Sequence, residues 1–151
     1  MDFVTETRKQ GCFICEALKA DDDPASLVLK RGEQVVVMLN KFPYNTAHLL
    51  IAPNRHVADP TELTAQESLA TMSTLNESLT SIRDSMKPDG FNIGVNLGEV
   101  AGAGLPGHLH WHVVPRWAGD TNFMPVVGES KILPESLEDT YARLIAGFAA
   151  T

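Results

Sequence analysis

Apolar residues along the chain first fall into short aliphatic runs. Two of these, between Leu27 and Leu39, flank Arg31-Gly32-Glu33 in the pattern of a hairpin, and Leu49–Ala52, stopped by Pro53, reads as a third strand. The period then changes. Thr64, with Glu67 three residues on, is the signature of a capping box, and Leu69, Met72, Leu75, Leu79, Ile82 and Met86 recur at three and four. This predicts one long helix ended by Pro88-Asp89-Gly90. Phe91 to Asn96 alternates like a strand, and the glycine-rich stretch Gly98 to Gly107 must be a loop. Residues 108–114, His108-Leu109-His110-Trp111-His112-Val113-Val114, read as a strand stopped by Pro115. Its period of two puts three imidazoles on one face and Leu109, Trp111 and Val113 on the other. Residues 134–149, with Leu137, Tyr141, Leu144, Ile145 and Phe148 in register, predict a closing helix. Residues 1–25 predict a short helix followed by a solvated acidic turn at Asp21-Asp22-Asp23-Pro24. Strands, a long helix, strands and a helix imply an α+β fold, an antiparallel sheet with helices on one side.

Length and composition set limits on this picture. The 151 residues suit a single domain over 1–151, and 44% hydrophobic with 21% charged residues argues against disorder. A net charge of −7 disfavours partners that demand clustered Lys and Arg, so neither nucleic acid nor an anionic membrane surface is expected. No run approaches the length of a membrane span, and Met1 to Gln10 lacks the apolar core of a signal peptide, so a cytoplasmic protein is expected. In a reducing compartment Cys12-Phe13-Ile14-Cys15 reads as half a metal site or a redox pair rather than a structural disulfide.

The candidate chemistry lies in the histidines. Three of five fall within five residues, directly after a glycine-rich loop. A histidine-rich metal tract or buried core histidines are the plainer readings. A neutral imidazole is also a competent nucleophile near pH 7, and attack on a phosphorus would divide a difficult displacement into two easier ones. Flanking donors on the same face would stabilise the developing charge. Backbone N–H groups of the loop Gly98 to Gly104 could approach phosphate oxygens, or the loop could be a plain connector. Cys12, Cys15, His56 and His108 together offer the ligand types of a tetrahedral zinc site; otherwise they are two small buried cysteines and a surface histidine.

The segment Pro106-Gly107-His108-Leu109-His110-Trp111-His112-Val113-Val114-Pro115-Arg116 resembles the histidine triad motif of the HIT family of nucleotide-binding hydrolases and transferases. The likeness extends to Leu39-Asn40-Lys41-Phe42-Pro43 and Ala47-His48-Leu49-Leu50-Ile51-Ala52-Pro53. Ala47 departs from it, since many relatives carry glycine there. Pro115-Arg116-Trp117, Gly119-Asp120 and Asn122-Phe123 look most like the branch containing diadenosine tetraphosphate phosphorylases, also called ATP adenylyltransferases.

The resemblance implies an antiparallel sheet of about five strands and nucleotidyl transfer on adenine nucleotides through a covalent nucleotidyl-histidine. On that reading His110 is the nucleophile, His112 and His108 complete the triad, and His48 supports it from a neighbouring strand. Asn40 would bind ribose hydroxyls, while Asn96, Gly102 and Gly104 would approach the phosphates. Relatives carry Gln, Ser or Thr near this loop, whereas here its residues are small and apolar. Zinc held by Cys12, Cys15, His56 and His108 would be structural. The implied partners are a nucleotide substrate, inorganic phosphate for a phosphorylase, and a second copy of the chain paired through the long helix and a sheet edge. Hydrolysis of dinucleoside polyphosphates or nucleoside phosphoramidates, and nucleotide binding with little catalysis, are the alternatives.

Overall fold

In the computed structural model residues 11–120 and 135–149 are described. Five strands, β1 (Val28–Arg31), β2 (Val35–Leu39), β3 (Leu49–Pro53), β4 (Gly90–Val95) and β5 (Trp111–Arg116), form one antiparallel sheet in the order β1-β2-β3-β5-β4. Four helices accompany it: α1 (Phe13–Lys19), α2 (Asp23–Ser26), α3 (Ala65–Met86) and α4 (Leu137–Ala149).

The expectation of helices on one side holds for α3 and α4 only. Alternation along β2 sends Val35, Val37 and Leu39 into a core with Leu75, Ile82, Leu144 and Phe148, which belong to α3 and α4. Val36 and Met38 point the other way, against Ile14, Cys15 and Ala17 of α1. With both faces covered, every residue of β2 and β3 is buried, which is why these strands read as continuous apolar runs. Arg31 ties α1 to the sheet edge by donating to the carbonyls of Ala17, Leu18 and Ala20, the open C-terminal end of that helix.

Helix α3 begins with the expected capping box: Glu67 N–H donates to Thr64 Oγ1, and Thr64 N–H donates to Glu67 Oε1. The apolar stripe divides along its length. Leu75 and Ile82 are buried and Leu79 and Met86 lie against the core, but Leu69 and Met72 are 70% and 55% exposed. The first two turns instead bury Glu67 and Thr71 because Arg55 clamps the Glu67 carboxylate with its guanidinium. The helix ends on Lys87 in a left-handed conformation (φ 50°), one residue before the expected Pro88.

Three boundaries differ from the sequence expectation. The acidic run is partly helical, since Asp22 accepts from Ala25 N–H and caps α2. Helix α4 starts at Leu137 because Ser136 Oγ accepts from Asp139 N–H at the preceding cap, while Pro134 lies outside the described residues. The triad strand is shifted: β5 opens at Trp111, after His108-Leu109-His110, and continues through Pro115. Pro115 is accommodated because its carbonyl accepts from Asn45 Nδ2, so its nitrogen faces the side on which β3 has already ended at the Leu49↔Val113 pair. Among the described residues no helix is long and apolar enough to cross a membrane.

Candidate active site and metal centre

On the α1 face of the sheet, His110, just before β5, and His112, within it, lie side by side with ring centroids 5.1 Å apart. Neighbouring β3 is entered through His48, whose Nε2 lies 2.9 Å from His112 Nδ1. Ala47 makes that entry with φ 62°, a conformation that costs an alanine about 1 kcal/mol over glycine. Asn40 lies against the His48 ring, its Nδ2 3.4 Å from both ring nitrogens, and its Oδ1 accepts from Phe42 N–H.

Donor and acceptor logic assigns the protons. The Tyr44 backbone N–H, which can only donate, meets His48 Nδ1 at 3.0 Å. His48 therefore carries its hydrogen on Nε2 and donates it to His112 Nδ1, leaving His112 with Nε2–H. The His108 carbonyl, which can only accept, lies 2.8 Å from His110 Nδ1, so the His110 lone pair is on Nε2. Burial, with the nearby His112 and His110 imidazoles, pushes His48 down from 6.5 to about 4, and burial lowers His112 as well. The neutral pair His48 and His112 thus sets one N–H donor, on His112 Nε2, beside His110 Nε2.

His108 does not join this row. Its Nε2 lies 2.8 Å from the Pro53 carbonyl and must donate to it, which turns the Nδ1 lone pair toward Cys12 Sγ at 3.3 Å, Cys15 Sγ at 3.5 Å and His56 Nδ1 at 3.1 Å. Cys15 Sγ and His56 Nδ1 are 3.3 Å apart, and all four ligand atoms lie within 4.8 Å of one another. Tetrahedral zinc with ordinary Zn–S and Zn–N bonds has ligand separations of roughly 3.3–3.8 Å, and the Cys12–His108, Cys15–His108 and Cys15–His56 distances fall in that range, so the donor set suits that ion. Both cysteines are buried, and Cys12 Sγ also accepts from Cys15 N–H. Arg55, pinned by Glu67, fixes the turn from which His56 reaches in.

Beside His110, α1 and the end of β2 enclose a cleft of ≈ 510 Å³. Asn40 lines it with Phe13, Leu27, Met38, Leu39 and Phe42, an apolar wall suited to a flat heterocycle. The sequence pattern did not single out Phe13 or Met38. Their signal was the location of Phe13 between two candidate metal ligands. On the other side of the triad, the loop Gly98 to Gly107 includes a single 3-10 turn, Glu99–Ala101, bounded by Gly98 and Gly102 at positive φ. Asn96 Nδ2 donates to the Gly102 carbonyl at 3.4 Å, so Asn96 braces the loop, and Gly104 has open space where a side chain would be. Trp117 donates to Met86 O at the end of α3, whereas Asn122 and Phe123 lie outside the described residues.

The HIT domain family model matches residues 22–119. A Mycobacterium tuberculosis protein named AP-4-A phosphorylase is 45% identical over 124 residues, covering 82% of this chain and 63% of that protein. The chain thus spans under two thirds of the length of that relative. A bis(5'-adenosyl)-triphosphatase of Saccharomyces cerevisiae is 32% identical over 91 residues, 60% of this chain and 44% of that one. Among solved structures, a zinc-bound histidine triad family protein of Mycobacterium smegmatis aligns with a TM-score of 0.74 at 25% identity, covering 93% of this chain and 95% of that one.

Proposed function

Since this chain belongs to the HIT domain family, we propose that it transfers a nucleotidyl group from diadenosine polyphosphates to inorganic phosphate through a covalent intermediate on His110. The observation that carries this reading is the proton ladder Tyr44 N–H, His48, His112, whose acceptor nitrogens are taken up by hydrogen bonds, while His110, its Nδ1 bound to the His108 carbonyl, keeps Nε2 for the substrate next to Phe13 of the cleft. Base and ribose occupy the cleft along Phe13, Met38 and Asn40. His110 Nε2 then attacks the α-phosphorus, and the bond to the bridging oxygen breaks with its electron pair leaving on that oxygen, beside His112 Nε2–H. Phosphate oxygen next attacks the phosphorus of the nucleotidyl-histidine and returns the electron pair to Nε2. Diadenosine tetraphosphate thereby gives ATP in the first step and ADP in the second. His48 acts by keeping His112 in the donor tautomer, and backbone amides of the loop Gly98 to Gly104 accompany the phosphate chain.

Zinc is the metal that the Cys12, Cys15, His56 and His108 set suits best, in a structural role. Bound there it would supply a cross-link between the N-terminal segment and the triad, while these four side chains hold Phe13 and the His108 carbonyl in place. We further propose pairing of two copies, supported by the exposed edge strand β4 and by the uncovered Leu69 and Met72 of α3.

Product analysis tests the reaction. Wild type with diadenosine tetraphosphate and phosphate should yield ATP and ADP, and His110→Asn should yield neither while melting like the wild type. Products formed equally well without phosphate would assign hydrolysis instead, and binding without turnover would refute both.

A further inference from the structure

The chemistry assigned above uses one nucleoside and leaves the other end of a dinucleotide without a contact. Four rings lie in sequence across the site: Phe13 to His110 at 6.5 Å between centroids, His110 to His112 at 5.1 Å, and His112 to Tyr44 at 5.9 Å. The cleft for the first base is at the Phe13 end of this row. His112, whose Nε2–H faces the departing oxygen, is at the other end, with Tyr44 immediately beyond it. The Tyr44 ring is within 14° of parallel to His112 and covers His48 at 4.6 Å, yet it remains 58% exposed. Its backbone is fixed on both sides: Tyr44 N–H donates to His48, and Asn45 Nδ2 donates to Pro115 O and Asp120 Oδ2. Arg116 in turn holds the Asp120 carboxylate. A large aromatic face is therefore presented to solvent on a rigid support, at the side of the triad from which the second nucleotide departs.

We infer that Tyr44 is a binding residue for the leaving half of the substrate, stacking its outer ring face against the second purine. This rests on the nucleotidyl-transfer reading and deepens it, because it makes the length of the substrate legible to the enzyme. Base stacking on an aromatic ring is tolerant of base identity, so the contact would select for the presence of a second nucleoside more than for its kind.

The test compares diadenosine tetraphosphate with adenosine 5'-tetraphosphate, which shares the scissile bond and the phosphate chain but lacks the second nucleoside. In Tyr44→Ala, kcat/KM for the dinucleotide should fall roughly tenfold further than for the mononucleotide, the scale of one lost base stack. Tyr44→Phe, which keeps the ring, should retain wild-type discrimination. Tyr44→Leu, which keeps apolar cover over His48, supplies a folded variant without a ring and should behave like Tyr44→Ala. Equal losses for both substrates in Tyr44→Ala or Tyr44→Leu would reduce Tyr44 to a support for His48 and His112 and overturn the inference. Unchanged kinetics in Tyr44→Leu would overturn it too. Failure of the wild type to process either nucleotide would instead overturn the transfer reading and carry this inference with it.

Discussion

His48 should make the stability of the fold fall with acid in a window above that of the carboxylates. Its imidazole is completely buried and its pKa drops from 6.5 to about 4 on folding, chiefly through loss of hydration. A group whose folded pKa is lowered favours the unfolded chain as protons become available, so stability is full above about pH 7 and declines as pH falls toward 4. At about 1.4 kcal/mol per pH unit, the loss attributable to His48 between pH 7 and 4.5 is about 2.5 kcal/mol. The carboxylates act lower. Glu67, held down to about 2 first by hydrogen bonds from Arg55, keeps its contribution above its usual value of 4.5 and loses it only below that. Urea unfolding of wild type and His48→Asn at half-unit steps from pH 7.5 to 4.5 isolates the histidine. The gap between the two proteins should close by about 2.5 kcal/mol on acidification, because asparagine does not titrate. A gap constant with pH would show that His48 is hydrated or already protonated, and the proton ladder built on its neutrality would be wrong.

Other expectations follow from single contacts. Cys12→Ser with Cys15→Ser should remove bound zinc, read by elemental analysis, and lower both Tm and nucleotide affinity; full zinc in the double variant would refute the assigned ligands. A β-carbon at Gly147 would lie 2.5 Å from Ser81 Oγ, so Gly147→Ala should destabilise by about 1–3 kcal/mol. Adding Ser81→Ala should restore the loss, since that hydroxyl is buried with no hydrogen-bond partner among the described residues, and a purely additive double variant would contradict this. Lys87→Gly should raise Tm by relieving a left-handed residue after α3, worth at most about 1 kcal/mol. Sedimentation at micromolar concentration should give a dimer, and a Leu69→Glu, Met72→Glu variant should shift it toward monomer.

Much of this was legible because local rules and the fold agree. The capping box needs only Thr64 and Glu67 at their spacing, and the alternation of His110 and His112 with Trp111 and Val113 fixes which side of β5 carries the imidazoles. Partners far apart in the chain were harder to read. Nothing in the period of α3 tells that Arg55 draws Glu67 inward and leaves Leu69 and Met72 outside, and nothing near Pro115 tells that β3 stops short of it. The pattern placed His108 with its two neighbours, but the acceptor at Pro53 O turns it toward the cysteines instead. Tyr44 and Phe13 carried no motif of their own, and their place beside the triad comes from a loop and a helix folding over it.

The short turn Cys12-Phe13-Ile14-Cys15 faces two chemistries at once. The thiols of Cys12 and Cys15 point to the metal centre, while Phe13 forms a wall of the base cleft near His110. Such an arrangement is a thermodynamic link with a fixed symmetry. If zinc holds Phe13 in the cleft and so tightens nucleotide binding by some factor, bound nucleotide must tighten zinc by the same factor. A chain saturated with substrate would then surrender its metal to a chelator more reluctantly than a chain without it. Metal retention would report on nucleotide supply, even though the two ligands never touch.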